Sequence, residues 1–183
     1  MAESLTAFEL LLQIDQRCRL LAADLPSQQT RNHGWSGIGF RLGERWYVAP
    51  MGEVSEVLHE PRLTQLPGVK SWVRGVGNLR GRLLPVMDLC GFLGIELSAL
   101  RKQRRVLVVE YKEVFVGLMV DEVLGMQHFN QASFEPASLD AQGGAAGLFI
   151  KGQFEREQRW QVFSPFALVQ SPRFMDVALL LQG

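Results

Sequence analysis

Arg105-Val106-Leu107-Val108-Val109-Glu110-Tyr111-Lys112-Glu113-Val114-Phe115-Val116-Gly117-Leu118-Met119-Val120 is the stretch that decides the fold. Two apolar runs rich in β-branched residues flank a polar break near Tyr111-Lys112-Glu113, the grammar of a β-hairpin. Upstream, Ile38, Phe40 and Leu42 alternate with Gly39 and Arg41, Gly43-Glu44 fits a turn, and Trp46 and Val48 resume the alternation. That is a second hairpin, and the two look like copies. Val54-Ser55-Glu56-Val57-Leu58 follows the first, and Val120-Asp121-Glu122-Val123-Leu124 completes the other, 66 residues later. Val-x-Glu-Val-Leu is a common strand composition, so chance similarity stands beside duplication as an explanation.

Between the copies, Val73–Leu79 and Arg82–Met87 flank Arg80-Gly81 and predict a third hairpin. Pro85 has no amide to donate, which puts its strand at an edge or at a bulge. Asp88 is placed to cap a short helix through Phe92 and Leu93, which Gly94 would end. Asn130–Gly147, rich in Ala, Gly, Ser and Gln, reads as a long surface loop. Leu148–Glu155 and Arg159–Phe163 read as strands, and Ser164-Pro165 as a helix cap with proline at the first helical position. Many short strands, few helices and no βαβ alternation point to small β-barrels rather than a doubly wound sheet.

Ahead of this β region, Thr6-Ala7-Phe8-Glu9 fits a capping box. Leu11, Ile14, Cys18, Leu21 and Leu25 then form the apolar stripe of a helix, which Pro26 ends. A polar stretch, Ser27–Gly34, reads as a linker. The expected organisation is a helical extension and linker over 1–34, then a β domain over 35–183. The stripe has two readings: packing on the barrel, or docking to another protein or a second copy.

The chain has 183 residues, with 19 basic and 19 acidic side chains, 47% hydrophobic and 21% charged residues. This is a globular composition with room for a core that needs no metal or disulfide. Its neutral balance argues against a dedicated binder of nucleic acid or acidic membrane. Two cysteines, Cys18 and Cys90, with no Cys-x-x-Cys pair, argue against a zinc cluster and fit a reducing compartment. No uncharged run reaches the ~20 residues of a membrane helix. A cytoplasmic protein is expected.

Catalytic signals are weak throughout. His33, His59 and His128 are scattered and lack metal-ligand spacing. No Gly-x-Ser-x-Gly elbow nominates a serine. Cys90 reads as packed rather than nucleophilic. Gly75-Val76-Gly77-Asn78-Leu79-Arg80-Gly81 suggests a nucleotide loop but runs into a strand, whereas a phosphate loop must open a helix. Arg101-Lys102-Gln103-Arg104-Arg105 reads as a solvated loop rather than a nucleic-acid patch, having no aromatic stacking set beside it. Glycines 75, 77 and 81 permit close approach of another backbone. By residue chemistry alone the chain is a small β protein with no visible active site, most economically a binding module, and no cofactor, metal or enzyme activity is expected.

Gly75-Val76-Gly77-Asn78-Leu79-Arg80-Gly81-Arg82-Leu83-Leu84-Pro85-Val86-Met87-Asp88-Leu89 closely resembles the signature segment of the CheW-like chemotaxis coupling domain. Val54–Leu58, Leu66-Pro67-Gly68 and Val116–Val123 also stand where that family has them, and the resemblance covers roughly residues 35–170. Within the family the chain is most similar to the members serving type IV pili and twitching motility. The residues that suggest this are Gln13–Arg19, Met51–Val54 and Arg101–Glu110.

The resemblance implies two intertwined, pseudo-symmetric, SH3-like five-stranded β-barrels. It implies a scaffold that joins methyl-accepting chemoreceptors to a CheA-type histidine kinase at membrane-bound arrays. Receptor tips would dock in an apolar groove between the barrels, and kinase and coupling domains would alternate in rings. Val54, Glu56, Gly75, Asn78, Arg80 and Gly81 match positions of the receptor or kinase interface. Arg80 would pair with an acidic receptor group or pin the turn against its own domain; Glu56 would meet a partner cation or an internal arginine. A flagellar-type coupling protein and a nucleic-acid-binding small barrel are the alternative readings.

Overall fold

A computed structural model describes residues 34–95, 100, 102–137 and 146–178. The helix expected over 6–25, the linker up to residue 33, Arg101 and positions 138–145 of the expected loop lie outside the described residues.

The three expected hairpins form where the alternation puts them. They are β1 (Gly34–Leu42) with β2 (Arg45–Pro50), β4 (Val73–Leu79) with β5 (Arg82–Asp88), and β6 (Arg105–Tyr111) with β7 (Val114–Val120). The β4–β5 turn is two residues long, and both Arg80 (φ +52) and Gly81 (φ +84) have positive φ. A two-residue loop of that hand matches the right-handed twist of the strands it joins. β3 (Glu56–His59), β8 (Glu122–Asn130), β9 (Phe134–Pro136), β10 (Ile150–Glu155) and β11 (Arg159–Phe163) complete the strands.

The strands make two sheets, in the orders β8-β1-β2-β11-β10-β9 and β3-β6-β7-β5-β4. Each sheet takes a hairpin from one half of the chain and its remaining strands from the other. β3 leaves β1–β2 to pair with β6, and β8 leaves β6–β7 to pair with β1. Two parallel contacts repeat the exchange: β2 with β11, and β5 with β7. The sequence echo is therefore a structural duplication with exchanged strands. The sheets hold six and five strands rather than five each. The sixth is β9, whose counterpart in the second sheet is a single bridge, Thr64 to Val76.

The duplication reaches further than the repeated pentapeptide. β4 and β10 each carry a bulge, between Val73 and Gly75 and between Ile150 and Gly152. A Cβ on either glycine would collide with a backbone carbonyl, Thr64 O or Glu135 O. β5 ends at Asp88, whose carboxylate accepts from Gly91 N and caps helix α1 (Leu89–Leu93); Gly94 (φ +71) stops it. β11 is followed by Ser164, whose hydroxyl accepts from Ala167 N and caps α2 (Pro165–Val169), with Pro165 in the first turn. A further short helix, α3 (Pro172–Met175), follows.

Pro85 corrects the edge-strand expectation. β5 is interior, between β7 and β4, and the bulge lies on β4. Val76, opposite Pro85, spends both its N–H and its C=O on Thr64, so no β4–β5 hydrogen bond is due there. β5 pairs with β7 only from Val86 onward, so the missing amide deprives no partner. The loop expected over 130–147 is also shorter than read. A 3-10 turn at Gln131–Ser133 leads into β9, where Phe134 packs on Phe154, ring centroids 5.3 Å apart.

Three apolar cores result. One lies between the sheets and includes Phe40, Leu42, Tyr47, Leu107, Leu118 and Phe163. One fills the first sheet's barrel with aromatics such as Phe129, Phe154 and Trp160. The third fills the second barrel with aliphatic groups such as Leu84, Val86, Val106 and Val108. Glu53 ties the halves together. Its buried carboxylate accepts from Ser164 Oγ (2.7 Å), Phe166 N (2.9 Å) and Lys151 Nζ (2.9 Å).

Candidate functional site

The signature segment forms the β4–β5 hairpin, and its tip carries most of the expected site residues. Asn78 Oδ1 accepts a hydrogen bond from Gly81 N at 2.9 Å, which staples the turn. A short polar side chain bonded back to the backbone is a turn device. Gly81 supplies the positive φ, with open space where a side chain would stand.

Arg80 projects from this tip and donates from Nη2 to Glu56 Oε1 at 2.8 Å. Glu56 belongs to β3, and β3 and β4 are the opposite edges of the five-stranded sheet. The ion pair therefore spans the seam of a sheet curled upon itself. Of the roles left open, both residues show the internal one: each is the other's partner. The Arg80 side chain is still 77% exposed, against 29% for Glu56, so the guanidinium keeps donors facing water.

Gly75 and Val54 differ from the tip residues. Gly75 is buried, and the backbone that approaches it closely is the chain's own, at Thr64–Gln65. Its φ of +131 is one that side-chain-bearing residues avoid. Val54 is half-buried and packs against the core between the sheets. Asn78, Arg80, Gly81 and Glu56 are thus brought together, while Gly75 stands at the β4 bulge and Val54 at the core between the sheets.

Two neighbours were not singled out from sequence. Leu83 is 73% exposed and stands directly opposite Asn78 in the hairpin. Arg82 lies over the Phe115 ring, 3.8 Å from its centroid, and donates to Glu110 at 3.1 Å. The signal for Leu83 was present: period two turns Leu84 and Val86 inward and leaves Leu83 outside. The hairpin tip thus presents an exposed leucine and a largely exposed guanidinium on a stapled turn.

Arg105 turns its guanidinium onto the carbonyls of Lys102, Gln103 and Arg104, closing its own loop. Cys90 is buried on α1, and desolvation pushes its thiol up to about 12, with the charges of Asp121 and Asp88 adding to the shift. His128 is exposed, and its Nδ1 lies 2.9 Å from Ser36 Oγ. Among the described residues no group of His, Cys, Asp and Glu could hold a metal ion. No described helix is long and apolar enough to cross a membrane.

Comparisons agree with this geometry. A family model described as CheW-like domain matches residues 36–173, which span both sheets. Over 98% of its length the chain is 65% identical to the whole of Protein PilI from Pseudomonas aeruginosa. It is 34% identical to Chemotaxis protein CheW of Thermotoga maritima, over 49% of this chain and 58% of that one. It is 33% identical to Protein FrzA of Myxococcus xanthus, over 60% and 68%. Among solved structures, the scaffolding protein TtCheW from Thermoanaerobacter tengcongensis superposes with a TM-score of 0.63 at 27% identity, covering 70% of this chain and 88% of that one.

Proposed function

The chain belongs to the CheW-like domain family, and from that premise we propose that it is a non-catalytic adaptor. It couples a methyl-accepting chemoreceptor to a CheA-type histidine kinase in the chemosensory array that governs type IV pili and twitching motility. The observation that carries this reading is the 65% identity to Protein PilI along that protein's entire length. Lower identity to general chemotaxis coupling proteins, over about half of the chain, favours the pilus system over the flagellar one.

The adaptor works by position. Its stapled tip presents Arg80 and Asn78, with Glu56 holding Arg80 in place, as a contact for receptor or kinase. Gly75 lets β4 bulge against Thr64, and Val54 packs on the core just ahead of β3. Such a protein changes kinase output only by binding the active and inactive assemblies with different affinity. It resides in the cytoplasm, at the receptor arrays.

The test is a pull-down of the full chain against the kinase regulatory domain and a receptor cytoplasmic fragment, with Arg80→Ala alongside. Capture of both by the parent chain, weakened for at least one by Arg80→Ala in a folded sample, is expected. Capture of neither by a folded parent chain overturns the adaptor reading. Unchanged capture by Arg80→Ala removes that side chain from the interface.

A further inference from the structure

Each sheet takes one strand by exchange from the other half of the chain, and both exchanged strands stand at an edge: β3 in the five-stranded sheet, β8 in the six-stranded one. An edge strand has a sheet neighbour on one side only, and it opens more readily than an interior one. β3 is held from across the seam by Arg80, at the tip of the β4–β5 hairpin. We propose that Arg156, at the tip of the β10–β11 hairpin, is the matching latch on β8, and that the two latches differ in chemistry, so that salt loosens β3 and leaves β8 shut.

The duplication makes the two hairpins equivalent. β4 and β10 share the bulged glycine, and β5 and β11 each lead into a capped short helix. Arg156 is the first residue of the β10–β11 turn, and its guanidinium donates to the carbonyl of His128 on β8. β10 and β11 lie beyond β1 and β2 in the sheet order. Arg156 therefore reaches β8 around the curl of the sheet, as Arg80 reaches β3. Its guanidinium also lies over the Phe129 ring, 4.4 Å from the centroid. Phe129 is itself on β8, and it stacks on Phe154 of β10 with centroids 4.5 Å apart. One side chain thus holds the strand by its main chain and by a ring that belongs to the first barrel's core.

The sequence echo explains why the acceptor on β8 is a carbonyl. Glu122 is the counterpart of Glu56, 66 residues on. Its carboxylate accepts from Arg41 on β1 at 3.4 Å, so it is engaged within the sheet and not across the seam. The second barrel's latch is an ion pair between side chains that are 77% and 29% exposed, and salt screens such a pair. The first barrel's latch is a hydrogen bond to a neutral carbonyl, backed by a cation–π contact. It holds no anion whose attraction salt could screen.

The inference rests on the duplication and not on the coupling reading, so each can fail alone. The experiment follows amide hydrogen exchange along the intact ¹⁵N-labelled chain, for the parent and for Arg156→Ala and Arg80→Ala. Arg156→Ala should speed exchange of the protected β8 amides about fivefold, the scale of one charge-assisted hydrogen bond with its ring contact, and leave β3 unmoved. Arg80→Ala should speed β3 about threefold, the scale of an exposed ion pair, and leave β8 unmoved. Arg159→Ala removes another exposed cation from the β10–β11 hairpin and should change neither strand. Raising salt from about 0.1 M to about 1 M shortens the screening length from about 10 Å to about 3 Å. In the parent chain this should speed β3 and leave β8 as it was. Unchanged β8 exchange in folded Arg156→Ala, equal loosening of both strands, or a β8 response to salt as large as that of β3 overturns the proposal. The salt comparison uses the parent chain, so it decides even where a variant fails to fold.

Discussion

Two residues of one hairpin show how differently a motif position can act. Gly75 and Arg80 stand five positions apart in the signature segment, and their substitutions should separate cleanly. Gly75→Ala asks for a side chain at φ +131, against the Thr64 carbonyl. Backbone strain and the forced shift together should cost about 2–4 kcal/mol. Arg80→Ala removes an exposed ion pair, for which about 1 kcal/mol or less is expected. Chemical denaturation of both variants measures this. A Gly75→Ala protein as stable as the parent would mean that the bulge relaxes freely. A large loss from Arg80→Ala would mean that the seam pair holds the barrel shut, and its pull-down result would then report folding rather than contact. The sequence placed Arg80 and Asn78 on a turn through the Asn-Leu-Arg-Gly spacing. It left the partner of Arg80 open, because Glu56 is distant along the chain and meets it only through the curl of the sheet.

At the scale of elements, local signals were legible and pairings were not. Alternation located the hairpins, and Asp88, Gly94 and Ser164-Pro165 marked α1 and α2, because capping is chemistry between near neighbours. The parallel contacts of β2 with β11 and of β5 with β7 leave no local trace, and neither does the exchange of β3 and β8. Pro85 was misread for the same reason: its tolerance depends on Thr64 and on where β7 begins to pair. Helix α1 yields a prediction of its own. It seats Cys90 in the core between the sheets, where the thiol keeps its proton up to about 12, against 9.0 when solvated. Between those values the folded state binds more protons than the unfolded chain, so stability must fall as pH rises. Burial raises Tyr47 too, which adds to the same slope. Urea midpoints should therefore decline above about pH 9, and Cys90→Ala should flatten that decline while costing some packing at neutral pH. An unchanged alkaline slope in Cys90→Ala would show that the thiol is not the group being titrated.

At the scale of the molecule, strand exchange makes the two barrels one cooperative object. Each sheet lacks a complete set of strands unless both halves of the chain are present. Glu53 adds a buried tie between the β2–β3 connection and the cap of α2. The pairings are also long-range in sequence, as β1 with β8 shows, so a fragment gains little of its native contact while still losing chain entropy. Chains cut between residues 100 and 101 should be unfolded when expressed as separate halves. Mixed, they should recover the native spectrum, because every strand then finds its partner across the cut. Circular dichroism and amide NMR of each half and of the mixture test this. A folded isolated half would show that one barrel stands without the strands it borrows. For an adaptor, shared strands have a mechanical consequence. A partner bound at one barrel acts on a body whose other barrel contains strands of the same half-chain, so relative motion of the two is opposed by β-ladders rather than by a linker. Rigid transmission between two contact surfaces is then a property of the topology, and substitutions at either tip can leave it intact.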